Sequence, residues 1–252
     1  MLSVAASAWV YAYADTTNGG APLFTMSRLT VAEGGGFSAD GGGLRNATGP
    51  GKGTDAPTGW AGGAGYGGRG GDGSGTSGGP AYGSTNVPIA VGSGGGNYNP
   101  IPVPELQDHG GYGGGMVRIE VAADAFVDGT LSANGDTARF AAGGGSGGSI
   151  LLAAGQDADV TVNGVLRARG GDGNGTGGGG GGGRIALWYK TPAGNREKLL
   201  IGDFSRAIVT ISYSHFAGQT HVEGGSGYNV GTNGTVVYLT VILNPGTIFT
   251  FR

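Results

Sequence analysis

The sequence predicts an all-β protein: stacked strands of β-solenoid type, joined by glycine-rich segments of the polyglycine II type and closed by a strand-rich cap near the C-terminus. Three observations predict it. Glycine supplies 62 of 252 residues, about a quarter where roughly 7% is usual. Short β-branched, alternating runs follow the glycine runs, and a unit of strand, turn, strand and glycine run returns at a spacing of 35. Helix is not expected, because glycine interrupts every dozen-residue window with a 3.6-residue period.

The glycines carry a cost that must be met. Glycine loses the most backbone entropy on folding and adds no side chain to a core. Apolar residues nevertheless make up 38% of the chain and charged residues only 12%, so self-repulsion does not hold it open. Chain length allows one or two domains. Residues 1–24 read as an N-terminal strand segment, 25–190 as the glycine-rich repeat body and 191–252 as a β-rich C-terminal part. The apolar start, Met1 to Tyr13, lacks the basic region of a signal peptide. It reads as a strand with Trp9, Tyr11 and Tyr13 on one face and Val10, Ala12 and Ala14 on the other.

The repeat is best defined in the middle of the chain. Phe37-Ser38-Ala39-Asp40-Gly41, Leu131-Ser132-Ala133-Asn134-Gly135 and Leu166-Arg167-Ala168-Arg169-Gly170 share one signature. Glycine runs lead into Met116 to Val121, Ser149 to Leu152 and Arg184 to Trp188. Shorter strands follow at Ala125 to Val127 and Asp159 to Val162, then at Thr130 to Ala133 and Val165 to Ala168. Asp128-Gly129 and Asn163-Gly164 between them are expected as turns that use positive φ. A second echo, Arg69 to Thr76 against Arg169 to Thr176, matches at seven of eight positions. A unit of this kind buries its apolar face only by stacking on its neighbours. The glycine runs themselves read either as flexible linker or as ordered three-per-turn helices packed side by side, whose amides must then find partners. Their recurrence at one place in each unit favours order.

Residues 44–109 are short of strand signal and read as an ordered excursion or a covering loop. Pro100, Pro102 and Pro104 mark an extended edge that cannot pair fully. Strands are expected at Ala207 to Tyr213, Thr235 to Leu243 and Thr247 to Phe251, with a turn at Asn244-Pro245-Gly246.

The motif order Gly65 to Gly71, Ala81 to Ser84, Gly92 to Gly96, Gly143 to Ile150, Gly180 to Leu187 and Gly234 to Leu239 resembles the glycine-rich repeat regions of large secreted and cell-surface proteins of bacteria and some protists. The likeness spans roughly residues 25–240. It implies a surface location and a β-solenoid-like fold, and it brings no catalytic residues. The glycine runs alone also resemble those of phage tail-tip adhesins built on packed polyglycine helices.

Composition narrows the function. A net charge of -3 without a basic stripe is not a nucleic-acid footprint. No stretch of 18 apolar residues is present, so membrane insertion by a helix is not expected. The absence of cysteine removes disulfides and thiolate metal sites and fits a secreted or cell-surface protein. No Gly-x-Ser-x-Gly stands between a strand and a helix as a nucleophile elbow, and Gly-x-Gly repeats without a following helix do not make a phosphate site. No cofactor is expected. Structural calcium at Asp72 and Asp172 is the weighed exception, with zinc at His215, His221 and Glu223 and a glycosidase pair among Glu105, Asp108, Glu120 and Asp124 as weaker ones. The chain is therefore read as a non-enzymatic, extracellular structural protein, a protomer of a fibre or stalk that adds strands between copies. The assembly strands are centred on Trp9, Tyr11 and Tyr13, and on Ile248, Phe249 and Phe251. The alternative is an adhesin that stacks glycans or a host surface on Trp60, Tyr66 and Tyr82, rings that glycine neighbours are expected to leave uncovered. Tyr98 and Tyr112 sit in similar surroundings. Asn46, Asn174 and Asn233 head glycosylation sequons.

Overall fold

The computed structural model describes residues 1–56, 59–98, 109–210 and 216–241. Among them the chain makes repeated passes, each adding strands to the same three sheets. The first pass holds β1 (Leu2–Val4), β2 (Trp9–Tyr11) and β3 (Leu23–Met26); the second holds β4 (Leu29–Val31), β5 (Gly36–Ser38) and β6 (Met116–Val121). The third holds β7 (Ala125–Val127), β8 (Thr130–Ser132) and β9 (Ser149–Ala154), and the fourth β10 (Val160–Val162), β11 (Val165–Arg167) and β12 (Arg184–Tyr189). A helix, α1 (Ala193–Leu200), and β13 (Ala207–Thr210) intervene before β14 (Gln219–His221) and β15 (Thr235–Val241). The sheet orders are β1-β4-β7-β10, β14-β11-β8-β5-β2 and β13-β15-β12-β9-β6-β3. Every pairing is parallel except β13 with β15. In the fifth pass a parallel bridge from Phe216 to Val162 stands where the first sheet would continue.

The register explains the repeat. Leu131 pairs with Phe37 and Leu166, Leu166 with Thr220, and Phe37 with Val10. The signature residues therefore form columns along the stack. Phe37, Leu131 and Leu166 enter a core shared by all three sheets, with Leu29, Val127 and Val162 from the first and Ile119, Ile150 and Ile185 from the third. Ala39, Ala133 and Ala168 line the same core. The third sheet is buried on both faces over β9 and β12, which is why these strands read as unbroken apolar runs. Leu151, Ala186, Trp188 and Leu239 form its second face, covered by Val87 and Leu199.

Two local expectations are corrected. Neither Asp128 and Gly129 nor Asn163 and Gly164 adopts positive φ. These glycines are demanded by a close approach between passes. A Cβ on Gly129 would lie 2.2 Å from the Gly35 carbonyl oxygen, one on Gly164 1.9 Å from that of Gly129, and one on Gly218 2.3 Å from that of Gly164. Helix is also present, in α1. It spans eight residues, too few for a dozen-residue window, and Pro192 stands at its N-cap. Such short helices depend on packing. Here Leu199 docks on the third sheet, and Arg196 reaches Glu120 at 3.0 Å.

Between the second and third sheets the chain leaves each later pass through glycine-rich segments that lie side by side. Their hydrogen bonds recur every third residue. Ala61 and Ala64 donate to Ala141 and Gly144, Gly62 and Gly65 to Thr54 and Gly51, and Gly63 and Tyr66 to Gly71 and Gly68. Residues 143–148 and 178–183 repeat the pattern, each with three neighbours: Gly144 and Gly147 donate to Gly178 and Gly181, and Gly179 and Gly182 to Asn229 and Thr232. The segments 49–54, 61–65 and 92–97 from the long excursion take part in this bundle. The echoed segments meet in it, with Ser74 donating to Thr176. The sheets also cross the boundaries expected at residues 24 and 190: β1 to β3 and β14 to β15 belong to the same sheets as the strands between them.

Candidate functional site

Among the described residues the first pass forms one end of the stack, and its strands pair on one side only. Alternation in β2 turns Val10 toward the core, while Trp9 and Tyr11 are 41% and 61% exposed and Tyr13, just beyond, is 58% exposed. The Tyr11 and Tyr13 rings lie 5.8 Å apart. Leu23 of β3 is also exposed. From Met1 to Ser27 the only charged side chain is Asp15, whose carboxyl is held below its usual range by the amides of Thr17 and Asn18. Ile248, Phe249 and Phe251, the other expected assembly strand, lie outside the described residues.

The expected aromatic platform is not one surface. Trp60 is partly exposed, but Tyr66 is fully buried and cannot stack on a ligand. Glycine neighbours do not uncover its ring; they let the surrounding backbone close on it. Its hydroxyl meets Ser149 Oγ at 2.7 Å, and the Tyr82 ring lies 4.8 Å away. The Arg184 guanidinium sits 5.4 Å above the Tyr66 ring and donates to the carbonyls of Tyr66 and Tyr82, and to Thr85 Oγ1 and Thr235 Oγ1. Tyr82 is half-buried and itself donates to the Val91 carbonyl. Burial pushes both tyrosine hydroxyls up and the Arg184 guanidinium down. Arg184 thus supplies donors to the Tyr82 carbonyl and adds one to the Tyr66 carbonyl, which also accepts from the Tyr82 amide. The cluster fastens the excursion to β12 and leaves the Tyr66 ring no open face for a sugar, while the half-buried Tyr82 ring lines a shallow cleft with Leu44, Pro50 and Ile89.

The remaining expected residues scatter. Asn46 is buried and its amide nitrogen donates to Asn97 Oδ1 at 3.1 Å, so the folded chain does not offer it for glycosylation. Asn174 and Asn233 are exposed. Asp72 Oδ1 accepts from Arg69 and from the Gly78 amide, and Asp172 Oδ1 from the Ser226 amide; both carboxylates fasten turns of the bundle. Among the described residues no group of three His, Asp or Glu could hold a metal ion. His221 and Arg169 both engage Glu223, at 3.2 and 3.3 Å, while His215, Glu105 and Asp108 lie outside the described residues. Glu120 is tied to Arg118 and Arg196, and Asp124 to Arg28.

One concave surface was not anticipated. A cleft of about 500 Å³ is lined by His109, Tyr112, Asp136, Thr137 and Arg139. It meets at Thr137 a second cleft of about 400 Å³ lined by Asn134, Arg167, Arg169, Asp172 and His221. Burial and the nearby charge of Asp40 raise the Asp136 carboxyl above its usual range. These residues come from a glycine run and from the ends of two repeats, and only register brings them together. Their sequence signal was slight, since Tyr112 stood out only as one of several tyrosines among glycines. Comparison of the chain with protein-family models, with curated proteins and with solved structures finds no match.

Proposed function

We propose that the chain is an extracellular structural protein, a β-solenoid stiffened by a polyglycine II-type bundle, which joins further copies by strand addition. One observation carries the reading: the first pass presents three strand edges that have no partner among the described residues and carry no charged side chain. Soluble β proteins blunt such edges with lysine, inward charges, bulges or covering segments. Here β1, β2 and β3 hold no charged residue, and Met1, Trp9, Tyr11, Tyr13 and Leu23 are exposed around them. The surface location follows from the resemblance of the glycine-rich repeats and from the lack of cysteine. Sedimentation over a wide concentration range is expected to show reversible association. Lysines at the exposed edge positions Ser3, Tyr11 and Thr25 are expected to abolish it without loss of fold. A wild-type chain that stays monomeric throughout contradicts the reading.

A second reading, an adhesin, is favoured by the paired clefts. A carboxyl, guanidinium groups and the partly exposed Tyr112 ring suit hydroxyl-rich chains, which take hydrogen bonds on their edges and stacking on their faces. Titration with soluble neutral and acidic polysaccharides tests it, and binding that Tyr112→Ala leaves unchanged counts against this site.

A further inference from the structure

The sequence holds five Asn-Gly pairs, which begin at Asn18, Asn134, Asn163, Asn174 and Asn233. Such a pair carries its own reagents. The glycine nitrogen can attack the asparagine Cγ, because no Cβ crowds the approach. Four of the five pairs are pinned by the fold. Gly19 donates its amide proton to the Asp15 carbonyl, Gly135 to that of Arg169, Gly164 to that of Val127 and Gly234 to that of Val222. Each nitrogen is held there until the local structure opens. Three of these asparagine side chains are also tied down. Asn18 Oδ1 accepts from the Gly20 amide, Asn134 Oδ1 from the Arg169 amide, and Asn163 Nδ2 donates to Asp128.

Asn174-Gly175 differs. Both residues are exposed, and the Gly175 amide has no hydrogen-bond partner among the described residues. Nothing lies within 4 Å of the place a Gly175 Cβ would take. The asparagine, by contrast, is anchored. Its amide donates to the Ala142 carbonyl, its carbonyl accepts from the Gly177 amide, and its Oδ1 accepts from the Ala141 amide at 3.3 Å. Phe140 and Ala141 both adopt positive φ where that amide is presented. A backbone N–H on Oδ1 stabilises the negative charge that gathers there when Cγ is attacked. Nδ2, the group that must leave, has no partner among the described residues. The turn itself does not require asparagine. Its echo, Arg69 to Thr76, carries Ser74 at the one mismatched position, and Gly75 there also has positive φ and open space around it.

We propose that Asn174-Gly175 is a self-modification site, where the folded chain turns Asn174 into aspartyl and isoaspartyl forms without an enzyme while the fold protects the other four pairs. The Gly175 nitrogen gives its proton to solvent base and bonds to Cγ. The Cγ–Nδ2 bond breaks, Nδ2 takes up a proton and leaves as ammonia, and a succinimide ring closes. One water then opens the ring. Water that breaks the bond between Cγ and the Gly175 nitrogen restores the ordinary backbone with an aspartyl side chain. Water that breaks the bond at the main-chain carbonyl carbon leaves the chain running through Cγ, one methylene longer. Either product sets a new carboxylate near the exposed Asp172. The longer form also stretches a turn whose Thr176 carbonyl holds the Ser74 amide, so it loosens the tie between the echoed segments. None of this depends on strand addition between copies.

The test holds the purified 252-residue chain at mildly alkaline pH in heavy-oxygen water and follows it by peptide mapping. Electron-transfer fragmentation tells aspartyl from isoaspartyl. Position 174 is expected to gain one heavy oxygen and to appear in both forms. It is expected to convert at least about tenfold faster than the four pinned pairs, whose amides must first be freed by local opening. In denaturant the five rates are expected to converge. Asn174→Ser, the residue of the echoed turn, is expected to abolish the fast conversion and leave the melting temperature unchanged. Equal rates at all five pairs of the folded chain, or a faster rate at any other pair, overturn the proposal. A ranking that survives in denaturant also overturns it, since sequence alone would then set the rates. So does a position 174 that stays unmodified while the denatured chain reacts.

Discussion

The stack and the glycine bundle solve the same problem with different materials. In the stack, side chains fill the space between sheets, and backbones stay a strand spacing apart. In the bundle the backbones themselves are the filling, and nearly every amide finds a carbonyl on a neighbouring segment. The stack tolerates changes of side chain that keep volume and polarity, because its columns already vary from Phe37 to Leu131 to Leu166. The bundle tolerates none where backbones touch. A Cβ on Gly63 would lie 2.0 Å from the Gly179 carbonyl oxygen, and one on Gly180 2.0 Å from that of Gly145. Stacked units gain stability by addition of neighbours, and the bundle extends that rule to chain segments without side chains.

The comparison can be broken hardest in the bundle. Gly180→Val forces apart segments held by hydrogen bonds on three sides and is expected to destabilise the chain by more than about 3 kcal/mol, beyond usual overpacking. Chemical denaturation measures it, and a loss below 1 kcal/mol, on the order of a surface change, would show the bundle to be loose. Leu166→Ala opens a cavity in the shared core and is expected to cost about 2–5 kcal/mol in the same experiment. Gly175→Ala separates packing from conformation. Its Cβ would meet nothing within 4 Å, yet φ is +60°, so only the left-handed penalty of about 1–2 kcal/mol is expected. A loss as large as that of Gly180→Val would refute the distinction.

The smallest effect concerns charge. The raised Asp136 carboxyl favours its protonated form in the folded chain. Stability from this group is therefore complete below the unfolded carboxylate range and is lost as pH rises through the folded value. Asp136→Asn is expected to raise the melting temperature slightly at pH 7 and to leave it unchanged near pH 3. A fall at pH 7 would mean that the carboxylate makes a favourable contact.

These regions were not equally legible. Strands of the third and fourth passes were readable because register in a parallel stack repeats the same inward positions, and Leu131 and Leu166 keep it at a spacing of 35. The first and fifth passes hid the same columns behind substitutions, with Val10 and Thr220 standing where Phe37 and Leu166 stand. Glycine runs announced close backbones without saying which segments would neighbour which, since that is decided by contacts far apart in sequence. Tyr66 was misread for this reason, as a ring among glycines looks open until other segments close around it. Helix α1 is held by Leu199 against the third sheet and by Arg196 on Glu120, and neither contact can be seen locally. The clefts were the least legible feature, because their lining residues converge only through register.

The proposed structural role requires a stiff chain, and that stiffness rests on whether the glycine segments are built structure or tether. Amide hydrogen exchange resolved over residues 143–148 and 178–183 measures this directly. Protection comparable to that of β9 and β12 is the predicted result. Exchange at the rate of an unprotected chain, while the strands stay protected, would contradict it.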